Sequence, residues 1–113
     1  MILYIINLRG VKEVLIEAEM KELANKKEYT KVFNYFHDEY TEMLRSFLKR
    51  NEVEVHDEDC LIDYIVKTRF FMPKYNQYTI PITNAMYNED LSEEMKYELL
   101  MTTYKDVRKA FNK

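Results

Sequence analysis

The sequence is poor in the residues that make turns and in those that form phosphate-binding loops. It contains one glycine and two prolines among 113 residues, so few tight turns or hairpins are expected. A single glycine also excludes the Gly-rich loops that bind nucleotide phosphates in Walker and Rossmann motifs. The chain therefore favours a few long helices over a sheet, and nucleotide binding through those two motifs is excluded.

The chain also has little cysteine and only a small net charge. Cys60 is the only cysteine, which excludes an internal disulfide and zinc sites built from cysteine pairs. A reducing, cytoplasmic location is expected. The net charge of -3 gives no overall attraction to nucleic acid or anionic lipid. The apolar start, residues 1–8, is too short for a membrane span and lacks the features of a signal peptide, so no membrane association is expected.

Apolar residues at three- and four-residue steps predict an all-α fold, an up-and-down antiparallel bundle of about four helices in a single domain, 1–113. A chain of 113 residues is long enough to bury a core without disulfides. The predicted helices cover residues 9–27, 29–50, 58–70 and 91–111. Residues 1–8 are expected to extend the first helix.

The predicted helix ends follow from capping residues. Asp57 or Asp59 is expected to cap the third helix. In the last helix, Asp90 and Glu93 have the spacing of a capping box, with Asp90 as the N-cap. The most regular pattern runs from Tyr29 to Leu48, where aromatic and aliphatic residues share one helical face and charged residues the other.

Residues 72–90 have no sustained helical period and contain both prolines, which predicts a long loop. Such loops often carry function or contact a partner. This loop and the last helix contain basic side chains, which can bind phosphates, and the loop contains aromatic side chains, which can stack on bases. The candidate contact residues for a nucleic acid or a protein partner are Lys74, Tyr75, Tyr78, Tyr87 and Arg108. The alternative, that they are scattered surface residues, stays open.

Two histidines limit the acid-base and metal chemistry of the chain. His37 is interpreted as a helix residue at the edge of the core, whereas His56 precedes three carboxylates and Cys60. This spacing matches no established ligand pattern, and acidic residues are favoured at a helix N-terminus by the helix dipole. Cys60 would act as a nucleophile only with a base beside it, and packing is the commoner role. No metal and no other cofactor is expected.

Several stretches of the chain follow one another in a characteristic order. They are the Glu-Ala-Glu strip at 17–19, a linker ending in Tyr29, a long second helix, the exit Arg50-Asn-Glu-Val-Glu-Val55, and Leu61-Ile-Asp-Tyr-Ile65. In this order the chain resembles the HEPN domain family over most of its length. Tyr78-Thr-Ile-Pro81 and the capped last helix also resemble the family's connection into its final helix. This resemblance implies a helical bundle, commonly a homodimer, that pairs in several members with a small nucleotidyltransferase.

Many HEPN proteins are ribonucleases, often toxins, that use an Arg-x4-6-His motif, and Arg50 and His56 satisfy that string with five residues between them. The resemblance would make His56 the general base towards a 2'-hydroxyl and Arg50 the group that stabilises the phosphorane charge. In catalytic members the motif lies at the start of the last helices, whereas here it lies in the exit from helix two. The acidic residues after His56 would also repel RNA phosphates. A non-catalytic or degenerate member is therefore expected.

The leading hypothesis is a HEPN-like binding protein, a homodimer that works with a nucleotidyltransferase or as the nucleic-acid- or nucleotide-binding component of a toxin–antitoxin or defence system. The first alternative is a metal-independent ribonuclease that uses Arg50 and His56. The second is a small structural or regulatory interaction protein of the phage or plasmid accessory type, which would use the 72–90 segment as a docking surface.

Overall fold

The computed structural model describes residues 16–112, and its regular elements there are helices, which confirms the all-α class. We label the helices α1 to α5 in chain order. They are α1 at 16–25, α2 at Tyr29–Arg50, α3 at Leu61–Phe71, α4 at Asn76–Tyr87 and α5 at Glu93–Phe111, with a 3-10 turn at Pro73–Tyr75 before α4. The predictions for residues 1–8, and for the first part of the helix at 9–27, lie outside the described residues.

Helix α2 is the centre of the bundle. The apolar face of α2 is buried in the core. The buried residues are Val32, Phe36, Tyr40, Met43, Leu44, Phe47 and Leu48. Helices α3, α4 and α5 all contact it. The ring of Phe47 meets that of Phe111 edge to face at 4.8 Å between centroids, which joins α2 to the end of α5. Since each fully buried large apolar side chain contributes roughly 1.5–3 kcal/mol, this face supplies much of the stability.

The predicted loop at 72–90 is wrong, because most of this segment is helical. The 3-10 turn accommodates Pro73 at its first position, where no backbone N–H is needed. In α4, Thr79, Ile82 and Ala85 recur at three-residue steps and are buried. Ile82 and Ala85 belong to the hydrophobic core, Thr79 accepts a hydrogen bond from Arg69 of α3, and α4 as a whole contacts α3 and α5. Tertiary packing of this face therefore outweighs the cost of Pro81 inside the helix.

The N-terminal caps of α3 and α5 differ from the prediction. Cys60 precedes α3 and forms a capping box with Asp63, whose carboxylate accepts from the Cys60 backbone N–H at 3.1 Å. Asp57 and Asp59, the predicted caps, instead form ion pairs with Lys49 and Lys67. Helix α5 is capped by Ser92, whose Oγ accepts from the Met95 backbone N–H at 3.2 Å. The prediction of Asp90 as the cap is wrong, because the chain enters the helix two residues later.

The connection between α2 and α3 is fixed at several points. The Nζ atom of Lys49 is 2.8 Å from Oδ1 of Asp57. The Tyr64 hydroxyl donates to the His56 carbonyl at 2.6 Å, and Lys67 donates to the Glu54 carbonyl at 2.9 Å. The segment is therefore tied to both flanking helices, which positions His56 beside the first half of α3. Within residues 16–112, no helix combines the length and apolar character required to cross a membrane.

Candidate interaction surfaces

A groove lies between the connection that follows α2 and the end of α3 with its 3-10 turn. We call it the exit groove. Its volume is about 920 Å³, and its walls include His56, Lys67, Phe71, Lys74 and Tyr75. Three predicted site residues, His56, Lys74 and Tyr75, thus share one groove although they are up to 19 positions apart in the chain. The groove is large enough for a ligand or for part of a macromolecule.

The charges of the exit groove largely cancel. Lys67 is paired with Asp59, at 3.5 Å between Nζ and Oδ2, and Glu52 and Glu54 also line the groove. Lys74 lies 5.5 Å from the centroid of the Tyr75 ring. With two lysines facing two glutamates, the groove has no net positive charge to attract a nucleic-acid backbone.

Arg50 lies outside this groove and has another partner. Its guanidinium donates to the main-chain carbonyl of Phe111, at the end of α5. It does not line the groove that His56 lines. The structure therefore brings His56 together with Lys74 and Tyr75, but not with Arg50.

Of the remaining candidate residues, Tyr78 lies beside the exit groove, whereas Tyr87 and Arg108 lie elsewhere. The Tyr78 ring is 6.3 Å from the ring of Tyr75, and both rings pack on Phe111. Tyr87 ends α4 beside the Ile62 backbone, and partial burial raises the pKa of its hydroxyl. Arg108 lies on α5 near Tyr35 and Tyr104. Burial raises the pKa of both tyrosines, and the positive charge of Arg108 offsets part of that rise. The predicted contact residues thus do not form one surface.

An exposed apolar surface on α3 and α4 was missed by the sequence analysis. On α3, Ile62, Val66 and Phe70 follow at four-residue spacing and are exposed, Phe70 by 77%. On α4, Ile80 and Tyr87 are exposed two helical turns apart. We call these five residues the α3–α4 face. The signal for it was present in the sequence, because α3 is apolar on the side opposite its buried residues as well as on the buried side.

The two helices that form this face are joined side by side. The Nε atom of Arg69 on α3 donates to the Thr79 hydroxyl on α4 at 3.3 Å. Near the other end of the α3–α4 helix pair, the hydroxyl of Tyr87 forms a hydrogen bond with the backbone of Ile62. Helix α4 has no charged residue, although 33% of the whole chain is charged. An apolar, charge-depleted area of this kind resembles the centre of a protein–protein interface.

The acidic run before α3 is used for capping and ion pairs. Asp63 accepts from the Cys60 Sγ at 3.1 Å, and this bond, together with the Cys60 backbone N–H, holds the pKa of Asp63 below its usual range. A hydrogen bond from Lys49 lowers the pKa of Asp57 in the same way. In the part of the chain that the structure describes, no three His, Cys, Asp or Glu side chains come close enough to hold a metal ion.

Comparisons with known proteins add no further guide to this geometry. No family model matches the sequence, and no curated protein or solved structure is significantly similar to it.

Proposed function

We propose that this protein is a non-catalytic, HEPN-like helical binding module whose α3–α4 face docks another protein chain, in the first place a second copy of itself. The observation that carries the proposal is the exposure of Val66 and Phe70 on α3, at 58% and 77%, beside the uncharged helix α4. Large side chains exposed together in this way usually mark a binding surface.

The size of the face is consistent with a dimer. Aromatic side chains have areas of roughly 150–250 Å² and Ile and Val are at the lower end of that range. With exposed fractions of 38% to 77%, the five residues together expose on the order of 500 Å² of mainly apolar surface. A standard interface buries about 800 Å² per partner, of which the central part is about 65% apolar. The face therefore has about the apolar area that one side of such an interface requires.

A second copy is the favoured occupant because the face is compatible with itself. A two-fold axis brings the same patch of both subunits together, so like charges on the patch would repel. Helix α4 has no charge to create this conflict. The three charged residues of α3 have partners within the subunit, since Asp63 accepts from Cys60, Lys67 pairs with Asp59 and Arg69 donates to Thr79.

The target of the dimer follows from the HEPN resemblance, which implies a nucleotidyltransferase-type protein or a nucleic acid in a toxin–antitoxin or defence system. We favour a protein target. The net charge is -3, and the exit groove has balancing carboxylates beside its lysines, so neither attracts a polyanion. A cytoplasmic location, consistent with the single free cysteine Cys60, completes the proposal.

A charge placed on the face tests the proposal. Val66→Lys is compared with Met95→Lys, a matched control at the start of α5, since the two residues are exposed by 58% and 56%. Mass measurement by light scattering is expected to give a dimer for the wild type and Met95→Lys, and a folded monomer for Val66→Lys. A wild type that remains monomeric at 100 μM, or a Val66→Lys variant that stays dimeric, contradicts the proposal.

A further inference from the structure

The two walls of the exit groove differ in chemistry. The wall formed by the connection after α2 includes Glu52 and Glu54, and the wall formed by the end of α3 and the 3-10 turn includes Phe71 and Tyr75. Both glutamates are exposed, and the side chain of Phe71 is 56% exposed. The groove therefore offers accessible hydrogen-bond acceptors on one side and an accessible aromatic ring on the other.

The carboxylates are the charged groups of the groove that lack an ion-pair partner. Neither Glu52 nor Glu54 has a hydrogen bond or ion pair at its carboxylate within residues 16–112. Lys67 is engaged, since it pairs with Asp59 and donates to the main-chain carbonyl of Glu54 at 2.9 Å. With the charge of Lys67 balanced by Asp59, two carboxylates remain beside the single ammonium of Lys74. The remaining charge of the groove is therefore negative.

Glu52 is held in place by the way α2 ends. Its backbone N–H donates to the Lys49 carbonyl at 3.1 Å, and that of Val53 donates to the Leu48 carbonyl at 2.9 Å. These two bonds form a Schellman cap, in which Glu52 has a positive φ of 61°. Because its backbone is already fixed, little further ordering of the main chain is needed when a ligand binds.

Phe71 connects the exit groove with the α3–α4 face. Its ring meets that of Phe70 edge to face, at 4.8 Å between centroids, and Phe70 is the most exposed residue of that face. A protein chain bound at the α3–α4 face is therefore within reach of the groove. This continuity favours a segment of a protein over a separate small molecule as the occupant.

We propose that the exit groove binds an arginine-containing segment of the target protein, with the guanidinium between the carboxylates of Glu52 and Glu54 and the ring of Phe71. A guanidinium donates charge-assisted hydrogen bonds to carboxylates and stacks on aromatic rings, so arginine suits both walls. This inference deepens the proposed function. It rests on the target being a protein, and it does not require the dimer.

A short peptide with blocked ends, acetyl-Gly-Arg-Gly-Arg-Gly-amide, tests the proposal. It is titrated into ¹⁵N-labelled protein at low ionic strength and pH 8, where histidine adds no charge to the groove. We expect saturable changes in the amide signals of the groove residues, residues 51–56 and 71–75. The same peptide with citrulline in place of arginine keeps the shape but loses the charge, and it should bind roughly tenfold more weakly.

Variants of the two walls locate the contact. Glu52→Gln/Glu54→Gln should weaken binding of the arginine peptide roughly fivefold, because exposed ion pairs contribute modestly. The control Glu94→Gln/Glu98→Gln makes the same change of net charge at two exposed glutamates of α5 and should leave binding unchanged. Phe71→Leu keeps an apolar side chain but removes the ring, and it should weaken binding roughly threefold.

Two further variants complete the test. Glu52→Gly removes one carboxylate at a position where glycine is preferred, so it should lose affinity while its urea stability stays equal to the wild type or rises. Lys74→Gln removes the remaining cation and should leave binding of the arginine peptide unchanged or tighter. Weaker binding in Lys74→Gln would contradict the proposal.

Three other results would overturn the proposal: equal affinity of the arginine and citrulline peptides, equal weakening in both glutamate double variants, or no signal changes at the groove. The dimer is measured separately by light scattering. A monomeric wild type that still binds the peptide would contradict the α3–α4 dimer and leave the groove assignment standing. A dimeric wild type that does not bind it would do the reverse.

Discussion

The guanidinium of Arg50, the last residue of α2, donates a hydrogen bond to the main-chain carbonyl of Phe111, the last residue of α5. The last carbonyls of a helix have no partner within the helix, and a cation beside them is favoured by the helix dipole. Arg50 therefore closes the end of α5 and links it to α2. This structural role accounts for the arginine without any catalytic step.

Arg50→Ala is expected to lower the free energy of unfolding by about 1–2 kcal/mol, because a hydrogen bond from a charged donor is lost and a helix end is left open. His56→Ala should have a much smaller effect. The hydrogen bonds at His56 use its backbone N–H and carbonyl, which the substitution retains. Urea denaturation of the two variants and the wild type measures the difference.

The same two variants test the ribonuclease hypothesis. We expect no cleavage of a mixed RNA pool by the wild type, since Arg50 is engaged with Phe111 and does not line the groove of His56. Cleavage by the wild type that is lost in both variants would contradict the non-catalytic function and would require Arg50 to leave Phe111.

A buried hydroxyl offers a second prediction. Tyr40 is fully buried in the core, and its hydroxyl has no hydrogen-bond partner within residues 16–112. An unsatisfied buried polar group costs about 1–3 kcal/mol. Tyr40→Phe keeps the ring and removes the hydroxyl, so it should leave stability unchanged or raise it by about 1 kcal/mol. Tyr104→Phe, which loses the bond to Glu39, should cost about 1 kcal/mol.

The pH dependence of Tyr40→Phe follows from the same burial. Burial, with smaller contributions from Tyr104 and Glu39, raises the pKa of Tyr40 far above its ordinary value. A tyrosine in the unfolded chain ionises near pH 10, so the unfolded state binds fewer protons above that pH and the wild type loses stability as pH rises. Melting temperatures at pH 8 and pH 10.5 should therefore show Tyr40→Phe gaining on the wild type at the higher pH. A constant difference would contradict the assignment.

The capping box of α3 predicts an effect at acid pH. Hydrogen bonds from the Cys60 thiol and backbone N–H hold the pKa of Asp63 below its usual range. The charged form thus contributes stability above the unfolded pKa, near 3.9, which is lost as pH falls through the lower folded pKa. Asp63→Asn should melt earlier than the wild type at pH 7, with a smaller difference at pH 2.5. The control is Asp106→Asn, at an exposed aspartate of α5.

Periodicity was sufficient to predict α2, because its buried residues recur from Val32 to Leu48 and its charged residues occupy the opposite side. The ends of α3 and α5 were less predictable. Asp90 and Ser92 are both good caps two residues apart, and the choice of Ser92 depends on how the preceding turn packs. Local sequence does not contain that information.

The candidate surfaces were predictable only in part. His56, Lys74 and Tyr75 were each selected for their chemistry, but their common groove requires knowing that α3 returns the chain to the exit from α2. The α3–α4 face was missed for a related reason. With 72–90 interpreted as a loop, Ile80 and Tyr87 had no helix on which to align beside Ile62 and Val66.

The missed helix α4 gives the last prediction. Pro81 lies inside it, lacks the N–H that would bond to the carbonyl of Gln77, and places its ring against that turn. Pro81→Ala restores the donor and replaces the weakest helix former by the strongest, so it should raise the free energy of unfolding by about 1–2 kcal/mol. The gain is less than the full 3 kcal/mol because alanine also gives the unfolded chain more freedom. Urea denaturation measures it, with Ile80→Ala as the control at an exposed neighbouring position that has its own N–H. A loss of stability in Pro81→Ala would mean that the proline ring fits the bend of α4 and contributes to its packing.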